Sequence, residues 1–260
     1  GLTPKHSIKK FMYFCNMENN YQIFGIRAII EAVQAGKTID KVFIQKGLKG
    51  SLFQELDTLL RKEQINTSYV PVEKLNRLTK NNHQGVVANI SPIEFHVIET
   101  LISNVLESEA KPLFLLLDQL SDVRNFGAII RTAECTGVSG IIIQKKGAAP
   151  VTADTVKTSA GAAFKVPICK VDHIKDAVFH MQASGIQVVA ATEKTENTLY
   201  DADFTLPTAI IMGSEDVGIS PSILKVVDQK AKLPLLGEIQ SLNVSVACGA
   251  FLYEVVRQRM

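Results

Sequence analysis

No two cysteines stand close together in this 260-residue chain. Cys15, Cys135, Cys169 and Cys248 are scattered, without the paired spacing of zinc ligands or of a redox motif. Three of them sit in apolar contexts that read as core, which suits a reducing, cytoplasmic compartment. The five histidines also lack metal-ligand spacing, so no metal site is expected. His6, His83, His96 and His173 read as surface or loop residues, and His180 as part of an amphipathic helix. No apolar run approaches the roughly 20 residues of a membrane span. Lys9-Lys10 precedes only a short apolar stretch, Phe11-Met12-Tyr13-Phe14-Cys15, which is too brief for a secretory signal. Excess charge is missing as well. A formal net charge of +2 neither demands nor excludes a nucleic-acid partner, so any RNA surface must be a local patch. There is no G-x-G-x-x-G fingerprint, no repeat and no low-complexity tract. Ala35-Gly36-Lys37-Thr38 echoes only the tail of a P-loop, because Glu31 occupies the place of its first glycine.

What the chain does contain is 46% hydrophobic and 21% charged residues, enough to bury a sizeable core in one large or two smaller domains. Met17 looks like a natural start, and residues 1–20 are expected to be a poorly ordered extension. From there to Ile90, helix-like and strand-like segments alternate. Ile26, Ile29, Ile30 and Val33 share a helical face that stops at Gly36. Lys41 to Ile44 and Thr67 to Val70 read as strands, Leu52 to Leu60 as an amphipathic helix, and Gly85 to Ile90 as a closing strand. The resulting domains are a small α/β unit over 21–92, a linker with a short helix over 93–111, and a second unit over 112–260. The second unit opens with Leu113-Phe114-Leu115-Leu116-Leu117-Asp118, a continuous apolar run typical of strands buried on both faces. Similar runs at Gly140 to Ile143, Ile186 to Ala190 and Ala209 to Met212 predict an α/β fold with a parallel sheet covered on both sides. Pattern alone gives an unknotted doubly wound arrangement.

Three blocks interrupt these apolar stretches with polar residues. They are Asn125 to Thr132 (NFGAIIRT), Met212-Gly213-Ser214-Glu215, and Ser241-Leu242-Asn243-Val244-Ser245. Each lies where a strand-like run gives way to a turn or helix, the edge on which parallel sheets bind ligands. Taken singly, each has a plain structural reading. Asn125 reads as a helix N-cap, Glu215 as a carboxylate favoured by a helix dipole, and Ser241 as a cap. Arg131 lies between Ile130 and Thr132 in an otherwise apolar stretch and needs an acidic or phosphate partner if it is even partly buried. One cap does not account for three polar residues within five. Asn243-Val244-Ser245 also matches the N-glycosylation pattern, which without a secretory signal is accidental.

In order, spacing and wording the three blocks resemble the motifs of the SpoU (TrmH-type) family of S-adenosylmethionine-dependent RNA ribose 2'-O-methyltransferases. The resemblance covers Pro112 to Arg259. It implies that the second unit is a deep trefoil knot whose knotted loop holds the cofactor. It also implies that Asn125, Arg131, Glu215, Ser241 and Asn243 form the catalytic site. Gly213, Leu233 and backbone around Leu242 would bind S-adenosylmethionine. Asp216 follows Glu215 where many relatives carry glycine, which bears on the shape of that loop. Family members pair through the last helix, so Val246 to Leu252, rich in small residues, is expected in a homodimer interface. The first unit is similar to the family's ribosomal-protein-like RNA-binding domain. Its wording, from Ile23-Phe24-Gly25-Ile26-Arg27-Ala28 to His83-Gln84-Gly85-Val86-Val87-Ala88, is closest to enzymes that methylate a guanosine of 23S rRNA. A tRNA substrate and a catalytically silent RNA-binding adaptor are the alternatives.

Overall fold

The computed structural model describes residues 21–260, so the expectations about residues 1–20, including Met17 and Cys15, lie outside it. The described residues divide into two compact units, 21–94 together with Val151–Ala153, and 95–150 together with 154–260.

The first unit is a four-stranded mixed sheet built from β1 (Gln22–Phe24), β2 (Ile39–Gln45), β3 (Thr67–Val70) and β4 (Val86–Ile90), in the order β1-β4-β2-β3. The β2/β3 pair is parallel and the pairs involving β4 are antiparallel. Strict alternation along β2 buries Val42 and Ile44 on one face. There they meet Ile29 and Ile30 of helix α1 (Ile26–Gln34) and Leu56 and Leu60 of α2 (Ser51–Lys62). Among the described residues, the helix on the opposite face is the short α3 (Val72–Leu78), whose buried Leu75 packs on Val70 and Val87. The sequence reading missed β1 and α3, which are short. Gly36, with φ of 74°, follows the end of α1, so the P-loop echo sits at a helix C-terminus.

The segment expected to be a linker is largely a helix, α4 (Ile98–Ser108). Its Ile98, Leu101, Ile102 and Val105 are buried in the core of the second unit, which therefore begins well before Pro112.

That unit contains six parallel strands in the order β10-β8-β9-β5-β6-β7. They are β5 (Leu113–Asp118), β6 (Gly140–Gln144), β7 (Ile168–Val171), β8 (Gln187–Ala191), β9 (Thr208–Gly213) and β10 (Gln229–Ala231). The four strands read from the sequence are central, and the two it missed, β7 and β10, are the short edges. Every residue of β5 is buried, as a strand covered on both faces requires. Phe114 and Leu116 face a cluster that contains α4 and α7 (Ile174–Ala183). The alternate residues Leu113, Leu115 and Leu117 point to the other face. On that side lie α5 (Val123–Cys135) and the last helix, α9 (Val244–Arg259), which pack against each other. Between these elements come α6 (Ala153–Thr158) and α8 (Pro221–Leu224).

Two polar arrangements mark the end of α9, one tying it to the sheet and one lying within the helix. The Arg259 guanidinium donates to the carbonyls of Lys111 (2.6 Å), Phe204 (2.8 Å) and Leu206 (2.9 Å), joining the helix to the N-terminal edge of β5 and β9. Burial pulls its pKa down from the ordinary value while Glu109 opposes the change. One turn earlier the buried Glu254 accepts from Arg257 (2.7 and 2.9 Å) and Gln258 (2.9 Å). The Arg257 hydrogen bond holds the Glu254 carboxyl below its usual value against the cost of burial. Of the cysteines expected in the core, Cys169 and Cys248 are buried, with thiol pKa values pushed up to about 12 by burial, whereas Cys135 is exposed at the end of α5.

Candidate active site

The three polar blocks meet at the carboxyl ends of the central strands. The loop after β9 carries Glu215 to the N-terminus of α9. There one carboxylate oxygen, Oε1, accepts from the Asn243 side-chain amide (2.9 Å) and the Val244 backbone N–H (3.0 Å). A negative group at this end of a helix satisfies an orphan N–H and meets the positive end of the dipole. The Asn243 amide also donates to Asn125 Oδ1 at 3.0 Å, and the Asn125 amide reaches Glu215 Oε1 at 3.4 Å. Asn125, Glu215 and Asn243 thus form a closed triangle of hydrogen bonds, one residue from each block.

The cap assignments change in the structure. The N-cap of α5 is Asp122, which accepts from the Asn125 backbone N–H at 2.7 Å, and this frees the Asn125 side chain for the triangle. The cap of α9 is Asn243, whose Oδ1 accepts from Ser245 and Val246 N–H groups, so Ser241 caps nothing. Glu215 opens no helix of its own. It sits in a turn closed by a bridge between Ser214 and Gly218.

Beside the triangle is a cleft of about 400 Å³, within the range of small-molecule sites. Gly213, Glu215, Leu233, Ser241 and Leu242 all line it, together with Met212 and Phe251 on its apolar side. Thr192, Glu193 and Lys194, beyond the end of β8, supply polar groups that the sequence reading did not single out. At Gly213 a side chain would collide with the backbone of Gly218 and Ile219, so only glycine lets the turn fold back this tightly. The turn's left-handed residue is Gly218, with φ of 71°, and not the residue after Glu215. Asp216 at that position is therefore compatible with the loop.

Arg131 stands apart from the triangle. It is exposed, about 9 Å further along α5 than Asn125 and about 120° around the helix. It makes no hydrogen bond or ion pair among the described residues, so burial imposes no partner on it. Its neighbours Ile129, Ile130 and Ala133 take the buried side of the helix.

The residue most clearly missed is Asp118. It ends β5 opposite Gly213 and is 1% exposed. Its Oδ2 accepts from both the backbone N–H (2.8 Å) and the hydroxyl (2.7 Å) of Ser220, while Oδ1 has no partner among the described residues. Asp118 therefore fastens the far end of the turn that bears Glu215. An acid closing the run Leu113-Phe114-Leu115-Leu116-Leu117 was the available signal, because a buried carboxylate needs bound donors.

Residues 112–253 match the SpoU rRNA Methylase family, and residues 22–96 match the family described as RNA 2'-O ribose methyltransferase substrate binding. The chain is 33% identical over 237 residues to YacO of Bacillus subtilis, named as a TrmH family tRNA/rRNA methyltransferase, covering 91% of this chain and 95% of that one. A Staphylococcus aureus protein of the same description is 36% identical over 240 residues, covering 91% and 96%. Among solved structures, the SpoU methyltransferase AviRb of Streptomyces viridochromogenes, in complex with the cofactor AdoMet, superposes with a TM-score of 0.59 at 26% identity, covering 96% of this chain and 98% of that one. The motif triangle, the cleft and both matched segments agree, and the chain belongs to the SpoU (TrmH) family of RNA methyltransferases.

Proposed function

We propose that this protein methylates a ribose 2'-hydroxyl of RNA, with a guanosine of 23S rRNA as the foremost substrate, and that it does so in the cytoplasm. The observation that carries the reading is the triangle of Asn125, Glu215 and Asn243 at the mouth of a cleft lined by Gly213, Leu233 and Leu242. The trefoil knot of the family is part of the same proposal. An adaptor without chemistry would have no need to keep three separated polar side chains in mutual hydrogen bonding.

S-adenosylmethionine, the methyl donor, supplies a sulfonium-bound methyl group. Gly213, Leu233 and the backbone around Leu242 would hold this donor; its methyl group would pass to the ribose oxygen, the thioether would be the leaving group, and the hydroxyl proton would go to solvent water. Because the displacement is in line, orientation accounts for much of the rate. Asn125, Asn243 and Glu215 fix one another and so hold the reacting end of the cleft. Ser241 orients groups along its edge. The free guanidinium of Arg131 suits an RNA phosphate, which it can grip through two parallel donors. Guanidinium groups as a class hold their protons too tightly to act as good bases.

A tritium-transfer assay with separate ribosomal and transfer RNA fractions tests the reading, and mapping of the labelled nucleotide identifies the target. Label in tRNA alone would replace the rRNA assignment, and none in any RNA would favour the adaptor. A shortened chain beginning at Phe95, which keeps α4 in its core, is expected to bind S-adenosylmethionine like the full chain in calorimetry and to lose most RNA methylation. Full activity in that form would remove the substrate-binding role of the first unit.

Asp118→Ala is expected to weaken S-adenosylmethionine binding about tenfold, since two donors on Ser220 lose their acceptor. Asp118→Asn, which keeps an accepting oxygen, should retain most of the affinity. Equal losses in both variants would show that geometry at Ser220 is not what matters.

A homodimer through α9 belongs to the same reading. Val246 and Tyr253, 57% and 55% exposed, lie one heptad apart with the half-buried Gly249 and Ala250 between them. Such an interface would use one patch twice. Light scattering of an active sample should give twice the chain mass, and a monomeric mass would exclude it.

A further inference from the structure

The sheet of the first unit is covered unequally. Two helices bury one face, whereas among the described residues of this unit the other carries the seven-residue α3 as its only helix. Strand register places two rows of residues on that thinly covered face. One row runs Phe24, Val87, Phe43, and the adjacent row runs Gln22, Asn89, Lys41. Gln22 and Asn89 touch through their amides at 3.4 Å, confirming the shared face. The Lys41 and Lys74 ammonium groups lie 5.3 and 5.2 Å from the centre of the Phe43 ring, and Phe24 is 37% exposed. None of the strand residues on this face is acidic.

A solvated sheet face ordinarily presents polar side chains, so an exposed phenyl ring on a face that also carries amides and ammonium groups calls for an occupant. Aromatic rings stack on unpaired bases, amides hydrogen-bond base edges, and ammonium groups meet phosphates. An acidic protein partner would use the lysines and leave the ring and amides without a role. We infer that this face, centred on Phe24, Lys41 and Asn89, binds a single-stranded stretch of the RNA substrate. The inference rests on the RNA-methyltransferase reading and adds the surface by which unpaired nucleotides are held.

The test is fluorescence anisotropy of the full chain with a labelled, unstructured RNA of about 12 nucleotides and with a duplex of the same length. Phe24→Ala is expected to bind the single strand roughly fivefold or more weakly. The double variant Lys41→Gln, Lys74→Gln should lower the slope of log affinity against log salt by about 1.4, two phosphate contacts' worth. Lys62→Gln, on the helix covering the opposite face, should behave as wild type. Phe24→Leu keeps an apolar side chain without a flat ring and serves if the alanine variant does not fold. Unchanged affinity and salt slope in these variants, or binding of the wild type to duplex only, or displacement of nothing but an acidic peptide, would overturn the assignment. If the variants are unaffected while RNA is still methylated, the surface is wrong and the enzyme reading stands. If they lose RNA binding while no RNA is ever methylated, the surface stands and the enzyme reading falls.

Discussion

Glu215→Ala is expected to lower kcat/KM for RNA methylation by about two to three orders of magnitude, the range seen when a group orienting a transition state is removed. The substitution strips the Val244 N–H of its acceptor, releases the Asn243 and Asn125 amides, and detaches the turn that forms one wall of the cleft. Affinity for S-adenosylmethionine should therefore fall too, which separates this variant from one that damages RNA binding alone. Glu215→Gln keeps an accepting oxygen but loses the charge that complements the start of α9. It should lie between alanine and wild type in both measurements. A glutamine variant as inactive as alanine, with normal cofactor affinity, would show that the charge acts on the substrate and not on the helix.

The second large effect concerns Arg131. Arg131→Ala is expected to be nearly inactive, and the lysine variant distinguishes two explanations. If the guanidinium grips phosphate and steadies developing alkoxide charge, Arg131→Lys should lose turnover at every pH, because an ammonium cannot form the bidentate fork. Calorimetry should show ordinary cofactor affinity, consistent with the position of Arg131 outside the cleft lining. A loss confined to kcat would place the missing contact in the transition state. If the residue instead removes the proton, activity of the lysine variant should climb as pH approaches lysine's reference value of about 10.4, relative to wild type measured alongside. The absence of a partner for Arg131 among the described residues agrees with a group held ready for a ligand, but it also means that geometry alone gives no support to a base.

Local pattern conveyed much of the second unit. Leu113 to Asp118 is apolar throughout because both faces of β5 are covered, and that burial is visible in the residues themselves. The edge strands Ile168–Val171 and Gln229–Ala231 were not visible, since three or four residues are too few for a periodicity to emerge. The face of Ile98, Leu101, Ile102 and Val105 was legible as a helix, but a helical period does not say which core receives it. At the site, residue types were legible and hydrogen-bond partners were not. Placing the cap at Asn125 missed the true cap by three residues, and that offset decides whether the asparagine is occupied by its own helix or free to meet Glu215 and Asn243.

The parallel arrangement of the second unit bears on how quickly the site can be assembled. Parallel neighbours cannot be joined by tight turns, and β5 must pair with β9, which begins after residue 207. The triangle likewise spans sequence separations of 90 and 118 residues. Closing such long loops is entropically costly before any contact rewards it, and topologies of this kind fold slowly. During refolding from denaturant, helical signal should thus return well before the ability to bind S-adenosylmethionine. In the interval the apolar strands would be open to association with other chains, so recovery of active protein should decline as concentration rises.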